Sequence, residues 1–273
     1  MIDYINIDNY NMDKIPEKVS ISTMSFGCNL GTSFNMKNIY DHLLLSNSDI
    51  IAIKSSEGIK ALDEFKLKFK STNKNSKKNF YNQNTIIIRI DEEKFINIKL
   101  FKNGSLQMSG CKSLIDVNIA LYKLISRLSE KLTIDIDNIL SEITFVENIN
   151  DFRLLKFKID FINCNFAVNY LVNKTELYKL LIEQKISCML SPNHACVNIK
   201  YKISSSIKIS IFVFQTGNII ITGAKIAEHI KDAYVFIVKF LNKHKQQIIK
   251  RDISRILTIE EFEEIFNSEI SNL

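Results

Sequence analysis

Residues 209–241 read ISIFVFQTGNIIITGAKIAEHIKDAYVFIVKFL. Apolar residues alternate up to Phe214, a tight turn follows around Gly217, and a second alternating run leads to Thr222. A glycine corner at Gly223 then gives way to apolar residues at helical spacing, so the stretch spells strand, turn, strand, corner and amphipathic helix. Residues 96–128, INIKLFKNGSLQMSGCKSLIDVNIALYKLISRL, repeat the plan. Gly104 recurs as Gly217, Gly110 as Gly223, Lys112 as Lys225 and Phe101 as Phe214, always at the same offset in numbering (217 − 104 = 113). The helix positions Val117, Ala120, Leu124 and Leu128 recur at that offset as Ile230, Ala233, Ile237 and Leu241. Such a period is far too long for a stacked array, whose repeats run to about 20–50 residues. It implies two like half-domains about a pseudo-twofold axis.

Working outward, residues 1–17 read as a polar extension ending near Pro16, and residues 19–26 as a strand. Met36, Ile39, Tyr40, Leu43 and Leu44 keep helical spacing, and residues 49–54 form a short strand. A composition break follows at about 66–84. It holds Lys66, Lys68, Lys70, Lys74, Lys77 and Lys78 with no acid between Glu64 and Asp91, and reads as a solvated insertion or as a basic arm for phosphates. Strands at 85–90, 95–101 and 105–109 and a helix at 113–131 complete the first half. Residues 133–152 connect it to a second half of the same order at 153–250, and 251–273 form an acidic amphipathic tail. The expected fold is α+β: two pseudo-symmetric repeats forming one antiparallel sheet with helices on a single face. The opposite face then needs a partner, because a large bare sheet surface promotes association.

Composition narrows the function. The net charge of +6 admits an anionic partner without requiring one, and 46% hydrophobic residues suffice for a core. Seven Gly and two Pro are few, which argues against long structureless loops. No apolar run reaches the length of a membrane span, and the acidic, polar first residues do not suit a secretory leader. Five cysteines at irregular spacing fit a reducing compartment rather than a disulfide framework. Cys188, His194 and Cys196 lack a fourth ligand nearby, so no metal site is expected, and Cys28, Cys111 and Cys164 read as small buried hydrophobes. The four histidines show no triad pattern, and no phosphate-binding glycine loop is present, so neither an enzyme nor a cofactor is expected.

The blocks IFVFQTGNIIITGAK (211–225), LFKNGSLQMSGCK (100–112) and STMSFGCNL (22–30) carry a resemblance to the TATA-box-binding protein family, in a divergent form like that of a large DNA virus. Ser191-Pro192 is similar to the family's stirrup loop. The resemblance spans about 18–250 and implies a saddle-shaped sheet whose concave face contacts the minor groove of A·T-rich promoter DNA. In the family, phenylalanine wedges enter base steps and bend the duplex. The resemblance places the wedges at Phe101 and Phe214, and groove contacts at Ser109, Thr222, Gln107, Ile220, Ile21 and Phe161. It leaves Gln83 and Ala195 where a second wedge stands in each family repeat, and Val19 and Ile159 where the family has groove-reading asparagines. Arg89, Lys99, Lys112, Lys158 and Lys225 are the candidates for phosphate contact. Implied partners are duplex DNA with general transcription factors or RNA polymerase subunits, with no membrane and no small-molecule substrate. The implied location is the nucleus or viral factory of an infected cell, with packaging in the virion as a further expectation. The alternative is a protein-interaction module of the same fold that binds transcription machinery with little specific DNA binding.

Overall fold

The structure, a computed structural model, describes residues 4–70, 82–136, 139–191, 195–205 and 207–250. In chain order the elements are β1 (Ser20–Asn29), α1 (Met36–His42), β2 (Ile50–Lys54), β3 (Ile59–Ala61), α2 (Asp63–Lys70), β4 (Gln83–Arg89), β5 (Phe95–Phe101), β6 (Ser105–Cys111) and α3 (Leu114–Leu128). A hairpin of β7 (Lys131–Ile136) and β8 (Ile139–Thr144) leads to β9 (Leu155–Ala167) and α4 (Lys174–Glu183). The chain continues through β10 (Cys188–Met189), β11 (Cys196–Lys202), β12 (Lys208–Phe214), β13 (Asn218–Ala224), α5 (Ala227–Lys243) and α6 (Lys245–Ile248).

Apart from the separate β7–β8 hairpin, these strands make one sheet in the order β10-β11-β12-β13-β9-β1-β6-β5-β4-β2-β3. Every pairing in it is antiparallel. The order reads outward from the central β9–β1 pair in matching steps. The strands β4, β5 and β6 recur as β11, β12 and β13 at the repeat offset (196 − 83 = 113). Backbone torsions match as well: φ is +82° at Gly104 and +86° at Gly217, and +99° at Gly110 and +93° at Gly223. A β-carbon at Gly104 would lie 2.2 Å from the Thr32 carbonyl oxygen, and one at Gly217 would lie 2.6 Å from that of Tyr170. Only glycine satisfies both the torsion and the approach.

Upstream of β4 the offset changes (173 − 35 = 138). Asn35 and Asn173 each cap the following helix by accepting backbone N–H bonds. Leu30 N–H donates to Gly104 O, as Val168 N–H does to Gly217 O. The first lobe is therefore longer between β2 and β4 by the difference of the two offsets (138 − 113 = 25), and β3 and α2 lie in that insertion.

The main core lies between the sheet and α1, α3, α4 and α5, filled by residues such as Met24, Phe26, Ile98, Leu124, Ile211 and Ile237, all at most 1% exposed. The two long helices begin alike. Asp116 accepts from the Lys112 and Ser113 amides in a capping box, and His229, its repeat equivalent, accepts through Nδ1 from the Lys225 amide. Burial pulls the Asp116 carboxyl up, but its ion pair with Lys94 (2.6 Å) and these donors outweigh that and hold its pKa below the ordinary value.

Two expectations are corrected. The first residues are not a free extension: Ile5 exchanges two hydrogen bonds with the Asn118 amide on α3, and Lys14 pairs with Glu228 on α5. Tyr10 sets its ring edge-on to Phe157 between these points, so the segment straps both lobes' helices. Nor do all helices share one face. Ile86 and Ile88 enter the main core, whereas Ile87 lies on the other side of β4 in a second cluster with Ile51, Ala52 and Phe65 of α2. Phe65 meets Phe95 edge-on at 5.4 Å. So α2 covers the outer end of the first lobe on the face opposite the other helices. The centre of the basic stretch (71–81), the tip of the stirrup-like loop (192–194) and the acidic tail (251–273) lie outside the described residues.

Candidate nucleic-acid interface

The face opposite the main helices is built by strand alternation. On β12, Ile209, Ile211 and Val213 enter the core, which turns Lys208, Ser210, Phe212 and Phe214 the other way. By the same alternation β13 presents Asn218, Ile220 and Thr222, β6 presents Ser105, Gln107 and Ser109, and β5 presents Asn97, Lys99 and Phe101. The cross-strand registers align these into rungs: Phe212 with Ile220 and Asn165, Ser210 with Thr222 and Asn163, and Lys99 with Gln107 and Gly27.

Two shallow depressions on this face share eight equivalent lining positions, while Leu106 and Asp160 of the first and Thr216 of the second have no counterpart. One is lined by Gly27, Cys28, Asn29, Phe101, Ser105, Gln107, Lys156 and Lys158. The other is lined by Asn165, Phe166, Ala167, Phe214, Asn218, Ile220, Lys18 and Ser20. In that order the members differ by the two repeat offsets, with β9 lending the two lysines of the first, and Lys18, just before β1, and Ser20, its first residue, as their counterparts in the second. Each depression has one half-buried phenylalanine at its side. Phe101 stands opposite Gln83 and Phe214 opposite Cys196, so the cross-strand partner of each wedge candidate is not aromatic.

A profile described as transcription factor TFIID (or TATA-binding protein, TBP) matches residues 156–244, which run from β9 through α5. The "TATA-box-binding protein-like" protein of Acanthamoeba polyphaga mimivirus is 38% identical over 247 residues, covering 84% of this chain and 66% of that protein. The chain belongs to the TATA-box-binding protein family. It is a divergent member with a viral relative, and it spans about two thirds of that relative's length. Methanococcus jannaschii TBP superposes with a TM-score of 0.48 at 17% identity, over 84% of this chain and 99% of that one.

With the family fixed, the candidate residues can be placed one by one. Phe101, Phe214, Ser109, Thr222, Gln107, Ile220, Lys99, Lys158 and Phe161 share the uncovered face of this TBP-like sheet. Thr222 donates its hydroxyl proton to Asn163 Oδ1. Lys112 and Lys225 are exposed just past the ends of β6 and β13.

Ile21 is a correction. It pairs with buried Cys164 and packs on the main core, because a bulge between Ile21 and Thr23 inverts the alternation of β1. Val19 and Ile159, each 7% exposed, lie in the same core. The polar groups at the centre of the face are instead Thr23, Asn163 and Asn165, beside Phe161. Arg89 is corrected too. Its guanidinium carbon sits 5.6 Å from the Phe65 ring centroid and 5.5 Å from that of Phe95, and it donates to the Asn47 and Glu92 carbonyls. It is held under α2 rather than offered to a phosphate.

Two features of the face escaped sequence reasoning. Lys202 and Lys208 stand directly opposite each other on β11 and β12, both exposed, with Lys200 two positions inward. Like charges facing across strands repel, and a bound anion relieves that repulsion. Asp160 lies on the same face, 3.3 Å from Lys158 Nζ, and presents negative charge where a phosphate backbone would run. The thiols Cys28, Cys111 and Cys164 are pushed up to about 12 by burial, Cys111 also by Asp116. Among the described residues no helix is long and apolar enough to cross a membrane.

Proposed function

We propose that this protein is a DNA-binding transcription initiation factor that seats the minor groove of A·T-rich promoter DNA on its uncovered sheet face and nucleates a pre-initiation complex there. The observation that carries the reading is the pair of matched depressions around Phe101 and Phe214. A face with two equivalent aromatic sites related by an internal repeat suits a ligand that is itself nearly twofold symmetric, and the backbone of duplex DNA is such a ligand. Phe101 and Phe214 act as wedges in the manner of the family, each partly unstacking one base step. Thr23, Thr222, Asn163 and Asn165 face the groove floor, where A·T pairs present acceptors only. Lys158, Lys200, Lys202, Lys208, Lys112 and Lys225 take the phosphates. No cofactor or catalysis is invoked. The partners are general transcription factors or polymerase subunits, and the setting is the nucleus or viral factory of an infected cell.

A binding titration over a range of salt on an A·T-rich and a mixed-sequence duplex tests this. The A·T-rich duplex should bind more tightly, and each neutralised phosphate should add about 0.9 to the log–log salt slope. Equal, weak binding to both duplexes would favour the second reading, a protein-interaction module. Asp160 and the cover that α2 places on the first lobe are the observations in its favour.

A further inference from the structure

The two lobes present different chemistry at equivalent places. On the second lobe the rung Phe212–Ile220 is apolar. On the first lobe the repeat-equivalent rung is Lys99–Gln107. Gln107 lines the depression beside Phe101 as Ile220 lines the one beside Phe214. Toward the centre of the sheet the neighbour is Asn165 beside Ile220 and Gly27 beside Gln107. Further out, the first lobe has Ile87 and Phe95 under Phe65 of α2, where the second has Lys200 and Lys208.

In the minor groove, G·C differs from A·T by one group, the guanine N2 amino donor. Against Phe212 and Ile220 that donor is desolvated without an acceptor, which is unfavourable. Against Gln107 it meets an amide carbonyl that can accept its proton, while the Lys99 ammonium reaches the O2 and N3 acceptors present on every pair. We propose that Lys99 and Gln107 make the first lobe tolerant of G·C, while Phe212 and Ile220 keep the second lobe strict for A·T. The protein then reads an asymmetric site in one fixed direction. This rests on the minor-groove reading above.

The test uses the full chain and three duplexes that share palindromic A·T flanks: all A·T, one G·C pair in one half, and one G·C pair in each half. Fluorescence anisotropy reads affinity for the wild type and for the Lys99→Phe/Gln107→Ile double variant, whose changes are confined to the uncovered face. The wild type should lose less than about threefold for one G·C pair, because it turns to place that pair under the first lobe. It should lose roughly tenfold or more for two, the usual cost of one mismatched pair. The double variant should pay that tenfold already for one pair. Equal stepwise losses for the wild type at one and then two pairs would overturn the proposal, as would a double variant indistinguishable from it. Failure to prefer even the all-A·T duplex over unrelated DNA would remove the minor-groove reading itself and this inference with it.

Discussion

Truncating the wedges isolates their contribution because of where they sit. Phe101 and Phe214 are half-buried on the uncovered face and belong to neither apolar cluster. Phe→Ala in a core costs about 3–5 kcal/mol, but here no core cavity forms, so stability should fall by less than about 1 kcal/mol. The loss should appear in binding. Stacking of an aromatic side chain on a base contributes about 1–3 kcal/mol as read by alanine substitution, so either single variant should lose about 5- to 150-fold in affinity. The two residues lie on different lobes with the β9–β1 pair between them. Their effects should therefore add, giving about 2–6 kcal/mol for Phe101→Ala/Phe214→Ala. Anisotropy gives the affinity, energy transfer between end-labelled dyes gives the bend, and thermal melting confirms the fold. A double variant that melts like the wild type yet binds and bends DNA unchanged would refute the wedge assignment.

Further outcomes follow from the same geometry. Lys202→Ala and Lys208→Ala should each lower the salt slope by about 0.9 and weaken A·T-rich and mixed duplexes alike, measured by titration at several salt concentrations. Asp160→Asn removes a like charge from the phosphate path and should raise affinity several-fold at low salt and less at high salt; a decrease would place Asp160 in a contact of its own. Gly217→Ala should lower stability by at least about 1–2 kcal/mol, since it adds a β-carbon at φ +86° within 2.7 Å of two carbonyl oxygens, and a melting curve reads this. Asp116 has a depressed pKa in the folded chain, so its contribution is full above the unfolded value and is lost as pH falls through the folded one. Asp116→Asn should accordingly flatten the acid limb of stability against pH.

Much of the fold is legible in the sequence because the repeat is anchored by steric necessity. The turn glycines at 104 and 217 have to recur, and the strands and helices between them follow. The insertion in the first lobe hides the second offset, so the sequence alone aligns the first strand of each lobe two places out of step. Bulges near Ser22 and Asp160 then invert the alternation. That sends Ile21 to the wrong face and conceals Asn163 and Asn165, since a single added residue reverses every side chain beyond it. The side taken by α2 is not legible either. The short helix DEFKLKFK, in which apolar residues alternate with lysines, does not reveal which face of the sheet it will cover, and without that cover Arg89 reads as a phosphate ligand. The family profile covers only the second lobe, consistent with its apolar Phe212–Ile220 rung and with the insertion carried by the first.

The central claim is that the protein reads DNA from the minor groove, and inosine tests it most directly. An I·C pair presents the minor-groove pattern of A·T and the major-groove pattern of G·C, because inosine lacks the N2 amino group. Replacing the A·T pairs of a bound site by I·C should leave affinity within about twofold. A loss as large as that caused by G·C at the same positions would contradict the account.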